Sequence, residues 1–265
     1  MICYARSCGT LLNRCLSSNT GLVVLSEVNP GGSGSGRQGS PRTPKAQAED
    51  WYNIVIPDGL GFKESVVAIN DAAIKSGRRL IVRDWTFCDF PDDGPDKQTN
   101  AFSTLQELDG IALPFAFVRN SIDIWVSRGC PPVNRFFAAY RNYVDHLLSN
   151  GIPIFKYEDF CENPKQVFEE ICDTIEITSA EGILRLRSAE FVSGDVQFSS
   201  RGNLQSKVVR LRRKRISIAQ RRELSTCAMV KEVNERLGYS GNYEDEKIES
   251  RFATLWQRVM NRTFR

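Results

Sequence analysis

The amino-acid sequence predicts an α/β fold: a three-layer sandwich in which helices cover both faces of a central, mostly parallel sheet. Two observations carry this prediction. Short apolar runs rich in β-branched and aromatic residues show little alternation with polar residues, which is typical of strands buried on both faces. Stretches with helical periodicity lie between most of these runs, and such alternation favours parallel strands joined by right-handed crossovers.

The predicted strands are short and lie in the first two thirds of the chain, at residues 2–4, 22–25, 80–82, 115–118 and 152–155. Helices are predicted between and after them, at residues 62–76, 132–150, 167–175, 180–189, 216–237 and 245–260. Only helices are predicted from Pro164 onward. We therefore expect an α/β core over residues 1–205 and a C-terminal helical extension, residues 206–265, packed on the same domain.

Composition excludes several classes of protein. The 265 residues carry a formal net charge of only +3, which argues against a general nucleic-acid binder. No apolar run approaches the roughly 18 residues of a membrane span, and Arg6 and Arg14 interrupt the apolar N-terminal stretch, so neither a membrane span nor a secretory signal is predicted. The eight cysteines form no C-x-x-C pair and there is one histidine, so we expect free thiols, no metal site and a cytoplasmic location.

The first candidate site is the segment from Tyr4 to Leu12, where a strand runs directly into an apolar helix. Backbone N–H groups and a helix N-terminus there favour an anion. Arg6 offers paired donors, and Ser7 and Thr10 offer hydroxyls. The segment lacks the first Gly and the Lys of the Walker pattern. An ordinary capped helix start remains the alternative interpretation.

The second candidate site is another strand-to-helix turn, which follows residues 115–118. Arg119 lies at the carboxyl end of this strand, where open α/β sheets bind their ligands. Ser127 follows about two helical turns later, so a ligand would have to bridge the two. The alternative for Arg119 is a surface salt bridge with Asp123.

Together the two segments resemble the family of sulfotransferases that use 3′-phosphoadenosine 5′-phosphosulfate (PAPS). The first loop of this family reads P-[KR]-S-G-[ST]-T, and residues 5–10, A-R-S-C-G-T, match it with three departures. Ala5 replaces Pro, Cys8 replaces Gly, and Gly9 replaces Ser or Thr. If the family needs its Gly for a positive φ or for close approach of the phosphate, the side chain of Cys8 strains the loop here. The second family motif, Arg and then Ser eight residues later, matches Arg119 and Ser127.

Three further segments match the family in the expected order. They are residues 25–30 (L-S-E-V-N-P), residues 155–164 with their Y-E-D-x-x-x-x-P pattern, and residues 193–202, which resemble the loop that closes over the nucleotide. The resemblance thus covers residues 1 to about 205, and it implies that the α/β sandwich is P-loop-like. It implies that the nucleotide is bound by two sets of residues: Arg6, Ser7, Cys8, Gly9, Thr10 and Leu11 in the first loop, and Arg119, Ser127, Ser200, Arg201 and Gly202 elsewhere.

The resemblance implies transfer of a sulfuryl group from PAPS to a hydroxyl of a small-molecule or carbohydrate acceptor. Arg6 would stabilise the leaving group, and arginines would supply the positive charge without a metal. Glu27, at the offset of the glutamate base of tyrosylprotein sulfotransferases, is the candidate base, with Asp84 in reserve. His146 lies mid-helix and is expected to be structural. Two alternatives remain open: a P-loop kinase or NTPase, and a non-catalytic nucleotide-binding protein.

Two other segments have weaker interpretations. The Gly-, Ser- and Pro-rich stretch of residues 29–46 follows Glu27 and is a candidate acceptor-facing loop. The basic cluster of residues 210–215 is expected to be a solvated connector, with an anionic glycan or the nucleotide as the alternative ligand.

Overall fold

The computed structural model describes residues 1–31, 42–91, 101–107, 112–178 and 208–240. Strands and helices alternate along the first part of the chain, as the sequence predicts. Up to the fourth strand, the elements are α1 (Gly9–Ser17), β1 (Leu22–Val28), α2 (Pro44–Tyr52), α3 (Phe62–Lys75), β2 (Arg79–Asp84), a 3₁₀ turn (Thr86–Cys88), α4 (Ala101–Gln106), β3 (Ala116–Val118), α5 (Ser121–Ser127), α6 (Val133–Ser149) and β4 (Ile154–Lys156). Then follow α7 (Tyr157–Glu162), α8 (Pro164–Thr174), α9 (Ile218–Thr226) and α10 (Ala228–Arg236).

All strand pairs are parallel in the described part of the chain. β1 pairs with β2, and β3 pairs with β4. The N-terminal residues join the two pairs: the backbone N of Met1 donates to the carbonyl of Val82 at 2.8 Å, and Ile2 N–H donates to the carbonyl of Phe115 at 2.9 Å. The strand order is therefore β1, β2, residues 1–3, β3, β4, which confirms the predicted parallel α/β fold.

Residues 2–4 form a single bridge, from Ile2 to Ala116, and not the strand that the sequence predicts. The reason is the turn that follows at once, in which Ser7 N–H donates to the carbonyl of Tyr4 at 3.1 Å. The segment nevertheless occupies the middle of the sheet, and the first candidate loop leaves from this central position.

Side chains on the two faces of the sheet enter different cores. In β1, Val24 packs with α1 and α8, whereas Val23 and Leu25 pack with α2 and α3. In β3, Phe117 enters the first of these cores, and Val118 enters another that contains α5, α6, α9 and α10. Burial on both faces explains why the strands lack alternation.

Helix α6 anchors the start of the first loop. The ring of Tyr4 lies edge-on against Phe136 and Tyr140, with centroids 6.0 and 5.0 Å apart. Tyr143 is the third aromatic neighbour of Tyr4, at 5.3 Å. This packing holds the backbone that leads into Arg6.

The prediction of one continuous helix over residues 216–237 is wrong, because this segment forms the two helices α9 and α10. Cys227 between them is extended, with φ −97° and ψ 103°. The hydroxyls of Ser225 and Thr226 donate to carbonyls three residues back, which completes the end of α9. The predicted helices at 180–189 and 245–260 lie outside the described residues, and the division at residue 205 stays a prediction.

Within the described ranges, every helix is too short or too polar to cross a bilayer. All eight cysteines are free thiols, as the sequence predicts.

Candidate active site

The first candidate loop turns sharply between Tyr4 and α1. Arg6 and Cys8 both have left-handed backbone conformations, with φ values of 72° and 67°. Cys8 thus adopts the positive φ that the family pattern predicts for the position of its Gly. Leu11 N–H donates to the carbonyl of Cys8 at 2.9 Å, which starts the helix.

Gly9 fits a space too small for a side chain. A Cβ atom there would lie 2.9 Å from Sγ of Cys3 and 3.1 Å from Nε of Arg83. Real Cβ atoms essentially never come within 3.0 Å of another atom, so a side chain at this position would force Cys3 to shift and would crowd Arg83. Gly in place of the family Ser or Thr lets both side chains pack against the loop.

The second candidate loop is held from three sides. Tyr140 Oη donates to the carbonyl of Arg119 at 3.2 Å, and the Asn120 side chain caps α5 by accepting from Ile122 N–H at 3.1 Å. The carboxylate of Glu158 accepts from Asn120 N–H, and Asn234 on α10 accepts from Ser121. These contacts fix the direction in which Arg119 leaves the sheet.

The two candidate loops meet at Arg119. Its Nη1 lies 3.4 Å from the carbonyl oxygen of Arg6 and 3.6 Å from Sγ of Cys8. The guanidinium also lies over the ring of Tyr157, 5.2 Å from the centroid. Both loops therefore follow neighbouring segments of the sheet, residues 1–3 and β3, at their carboxyl ends, and Arg119 brings the two loops into contact.

The alternative interpretation of Arg119, a surface salt bridge with Asp123, is wrong. Both carboxylate oxygens of Asp123 accept from Nε of Arg213 instead, at 3.1 and 3.0 Å. Arg213 belongs to the basic cluster of residues 210–215, and Arg210 of the same cluster pairs with Glu162 at 3.2 Å. Arg210 and Arg213 thus connect the basic cluster to α7 and α5 by ion pairs. Ser127 is the last residue of α5 and is half-buried.

Two buried polar atoms that belong to the two candidate loops lack hydrogen-bond partners among the described residues. They are Oγ of Ser7, on a side chain only 1% exposed, and Nε of Arg119. Unpaired buried donors are costly, and an anion would satisfy them. Burial raises the pKa of the Cys8 thiol, which nearby Arg119 only partly opposes, so Cys8 adds no negative charge at neutral pH.

Glu27 and Arg83 form a buried ion pair beside the first loop. Nη2 of Arg83 lies 2.6 Å from Oε1 of Glu27, and Nη1 lies 3.4 Å from Oγ1 of Thr10. Sequence reasoning missed Arg83 as a site residue, although it selected its neighbour Asp84 because that residue ends the same strand. Arg83 lies at the same strand end and carries a positive charge suited to an anionic donor, so a search for cations at strand ends would have found it.

Asp84 lies in a different network from Glu27. The side-chain amide of Asn29 donates to Asp84 at 3.0 Å and to both carboxylate oxygens of Asp89 at 3.1 Å, and Thr86 donates to Asp84 at 3.1 Å. Burial raises the pKa of Asp84, although the hydrogen bonds from Asn29 and Thr86 oppose this. Asp84 also lines a mainly apolar cavity of about 580 Å³ between β2, α3 and α4. The other candidate site residues that the structure describes lie outside the lining of that cavity.

His146 lies away from both loops. Its ring packs edge-on against Phe102 at 5.4 Å and lies 5.6 Å from Phe90, and burial lowers its pKa. Ser200, Arg201 and Gly202 lie outside the described residues. In the described ranges, His, Cys, Asp and Glu side chains nowhere gather in a group of three able to hold a metal ion.

Comparison with solved structures identifies the fold. The sulfotransferase domain from the curacin biosynthetic pathway superposes with a TM-score of 0.58 and 13% sequence identity, over 90% of this chain and 96% of that domain. The chain has a sulfotransferase-like fold. Sulfotransferase structures from the Synechococcus PCC 7002 olefin synthase and from Alicyclobacillus acidocaldarius also match, with TM-scores of 0.46 and 0.47 and identities of 16% and 13%. They cover 85% and 89% of this chain, and 92% of each neighbour is covered.

No model of a known protein family matches the sequence, and no curated protein matches it. The evidence for a sulfotransferase-like fold is therefore the tertiary structure together with the loop motifs, and not overall sequence similarity.

Proposed function

We propose that this protein is a sulfotransferase that uses PAPS as donor and a hydroxyl of a small molecule or carbohydrate as acceptor. One observation carries the proposal: Arg119 reaches the backbone of the first loop, with its Nη1 3.4 Å from the carbonyl of Arg6. The two strand-to-helix loops can therefore bind opposite ends of one doubly phosphorylated nucleotide. The sulfotransferase-like fold supports this arrangement.

The residues of the two loops fit an anionic donor. In the first loop, Arg6 is exposed, Ser7 carries an unsatisfied buried hydroxyl, and the α1 N-terminus adds partial positive charge. These groups would hold the 5′-phosphosulfate together with Thr10. Arg119 would bind the 3′-phosphate with Ser127 and Arg201.

The bound donor would supply the sulfuryl group, and its bond from sulfur to the 5′-phosphate oxygen would break as the acceptor oxygen bonds to sulfur. Glu27 takes the proton from the acceptor hydroxyl, so that the oxygen attacks as it becomes an alkoxide. Arg6 stabilises the negative charge that builds on the leaving oxygen. Glu27 is preferred to Asp84 because Arg83 links its carboxylate to Thr10 of the first loop, whereas Asp84 is held by Asn29 and Thr86.

Calorimetric titration with 3′-phosphoadenosine 5′-phosphate (PAP) and with ATP tests the donor. We expect saturable binding of PAP in preference to ATP, and loss of roughly tenfold or more in PAP affinity for Arg119→Ala, because a charge-assisted contact to phosphate is removed. Arg135→Ala, at an exposed arginine on α6, is the matched control and should bind normally. Binding of ATP with magnesium in preference to PAP would favour a kinase or NTPase instead.

Transfer of radiolabelled sulfate from PAPS into an acceptor pool tests catalysis. Glu27→Gln should lower the rate by roughly 10²–10⁴-fold, the usual contribution of a general base. Glu64→Gln, at an exposed acid on α3, controls for the change in charge. Normal PAP binding without transfer to any acceptor would show a non-catalytic nucleotide-binding protein.

A further inference from the structure

Arg83 divides its hydrogen bonds between Glu27 and the first loop. Its short contact, at 2.6 Å, is with Glu27, whereas its contacts with the hydroxyls of Thr10 and Ser26 are long, both 3.4 Å. Its Nε is buried without a partner among the described residues and lies 3.1 Å from where a Cβ of Gly9 would be. The guanidinium thus has spare donor capacity on its loop side.

The backbone at Glu27 has an unusual conformation, with which its side chain forms the ion pair with Arg83. Glu27 has a φ of 52°, and the register between β1 and β2 shifts between Leu25 and Val28. A glutamate in the left-handed region is strained, so the surrounding structure must hold it there. The side chains are 7% exposed for Arg83 and 15% for Glu27, so little water screens their attraction.

We propose that Glu27 and the sulfuryl end of the donor compete for Arg83. This inference rests on the proposed function and concerns the regulation of the same site. In the free protein Arg83 holds the Glu27 carboxylate in an ion pair, which makes it a poor base. An anionic sulfuryl group bound beside Thr10 draws the loop-side donors of Arg83 toward itself and loosens the pair. Arg83 then neutralises the Glu27 carboxylate less strongly, so Glu27 accepts a proton readily only when the donor is present.

The consequence is a fixed order of binding, with the donor before productive binding of the acceptor. The competition for Arg83 also keeps the site without donor inactive, because Glu27 accepts no proton from an acceptor until the donor is bound. Arg83 acts here as a positioning residue for Glu27, and it is a binding residue only for the sulfuryl end of the donor.

The affinities of PAPS and PAP test the inference. Calorimetry measures them on wild type, on the single variants Arg83→Gln and Glu27→Gln, and on the double variant. PAP lacks the sulfuryl group, so it reports on nucleotide binding alone. Arg83→Gln should weaken PAPS binding by roughly tenfold and leave PAP binding within about twofold. Glu27→Gln should tighten PAPS binding by roughly tenfold, because the donor no longer competes for Arg83, and should also leave PAP binding unchanged.

The double variant separates competition from simple repulsion between Glu27 and the donor. Competition requires Arg83, so adding Glu27→Gln to Arg83→Gln should change PAPS affinity by less than about twofold. If Glu27→Gln tightens PAPS equally in both backgrounds, repulsion explains the effect and the inference is wrong. Glu64→Gln serves again as the charge control, and Arg83→Lys, which keeps the charge without the fork, should lie between wild type and Arg83→Gln.

The results distinguish this inference from the proposed function. Binding of PAP with equal effects of Arg83→Gln on PAP and PAPS would overturn the competition and leave the proposed donor intact. Failure of both nucleotides to bind a folded wild-type protein would overturn the proposed function and the inference with it.

Discussion

Three residues around the candidate site have left-handed backbone conformations that are uncommon for side chains other than glycine. Arg6, Cys8 and Glu27 have φ values of 72°, 67° and 52°. Each such residue costs on the order of 1–3 kcal/mol and persists because its surroundings hold it. The Arg6 carbonyl faces Arg119, and the Glu27 carboxylate meets Arg83. Strain is therefore concentrated where the proposed donor would bind.

Substitution of Cys8 tests this strain. Cys8→Gly should relieve about 1–2 kcal/mol of backbone strain, which roughly offsets the lost packing of the thiol, so the melting temperature should change little. Cys8→Val should destabilise by about 1–3 kcal/mol, because a β-branched residue is least compatible with positive φ. Thermal unfolding measures both. Cys161→Val, the same change within α7, is the matched control, and an equal loss there would contradict the role of φ.

Asp84 should make stability depend on pH. Burial raises its pKa in the folded protein, so folding favours the protonated carboxyl. The stability that this proton contributes is fully present below the unfolded pKa of about 4 and is lost as pH rises through the higher folded pKa. Thermal unfolding from acidic to neutral pH should show a smaller decline for Asp84→Asn than for wild type. Asp71→Asn, at an exposed acid, should follow wild type, and parallel profiles for all three would refute the assignment.

At the scale of elements, the C-terminal helices fix the second loop. The Oδ1 of Asn234 on α10 accepts from both the backbone N–H and the hydroxyl of Ser121, at 3.2 and 2.8 Å. Tyr239, just after α10, donates to Glu158 at 2.7 Å, and Glu158 also accepts from Asn120 N–H. The start of α5, and with it Arg119, therefore depends on residues more than one hundred positions later.

Asn234→Ala tests this dependence. Because it leaves two buried donors of Ser121 without their acceptor, we expect a loss of about 1–3 kcal/mol in the free energy of unfolding, measured with urea. PAP affinity should also fall if the protein has the proposed function, since Arg119 loses its support. Asn134→Ala, at an exposed asparagine on α6, should change neither quantity. Unchanged stability for Asn234→Ala would show that α5 holds its position without α10.

The sequence predicts the types of elements better than their ends. The apolar runs of residues 22–25 and 80–82 lie inside β1 and β2, and α6 (Val133–Ser149) matches its prediction closely, because periodicity reflects burial directly. The break at Cys227 and the single bridge at Ile2 were missed. Both depend on individual hydrogen bonds, from Ser225 and Thr226 in one case and from Ser7 in the other, which hydrophobic patterns do not report.

At the scale of the whole molecule, residues 1–3 connect two pairs of strands into one sheet. Hydrogen exchange tests this order. The amides of Ile2, Asp84 and Phe117, which donate across these junctions, should be among the slowest to exchange, since only global opening exposes the centre of a sheet. Amides of α9, which is largely exposed, serve as the internal reference and should exchange much faster. Fast exchange at Ile2 and Phe117 would contradict the central position of residues 1–3.

By itself, the sequence determined the parallel α/β class and the two strand-to-helix loops that start near Arg6 and Arg119. These depend on local patterns: apolar runs buried on both faces, and charged residues at strand ends. Only the tertiary structure decided that Arg119 reaches the Arg6 carbonyl, that Asp123 pairs with Arg213, and that Glu27 is held by Arg83. Such contacts join residues far apart in the chain, and their geometry follows from strand order and packing, which no local pattern encodes.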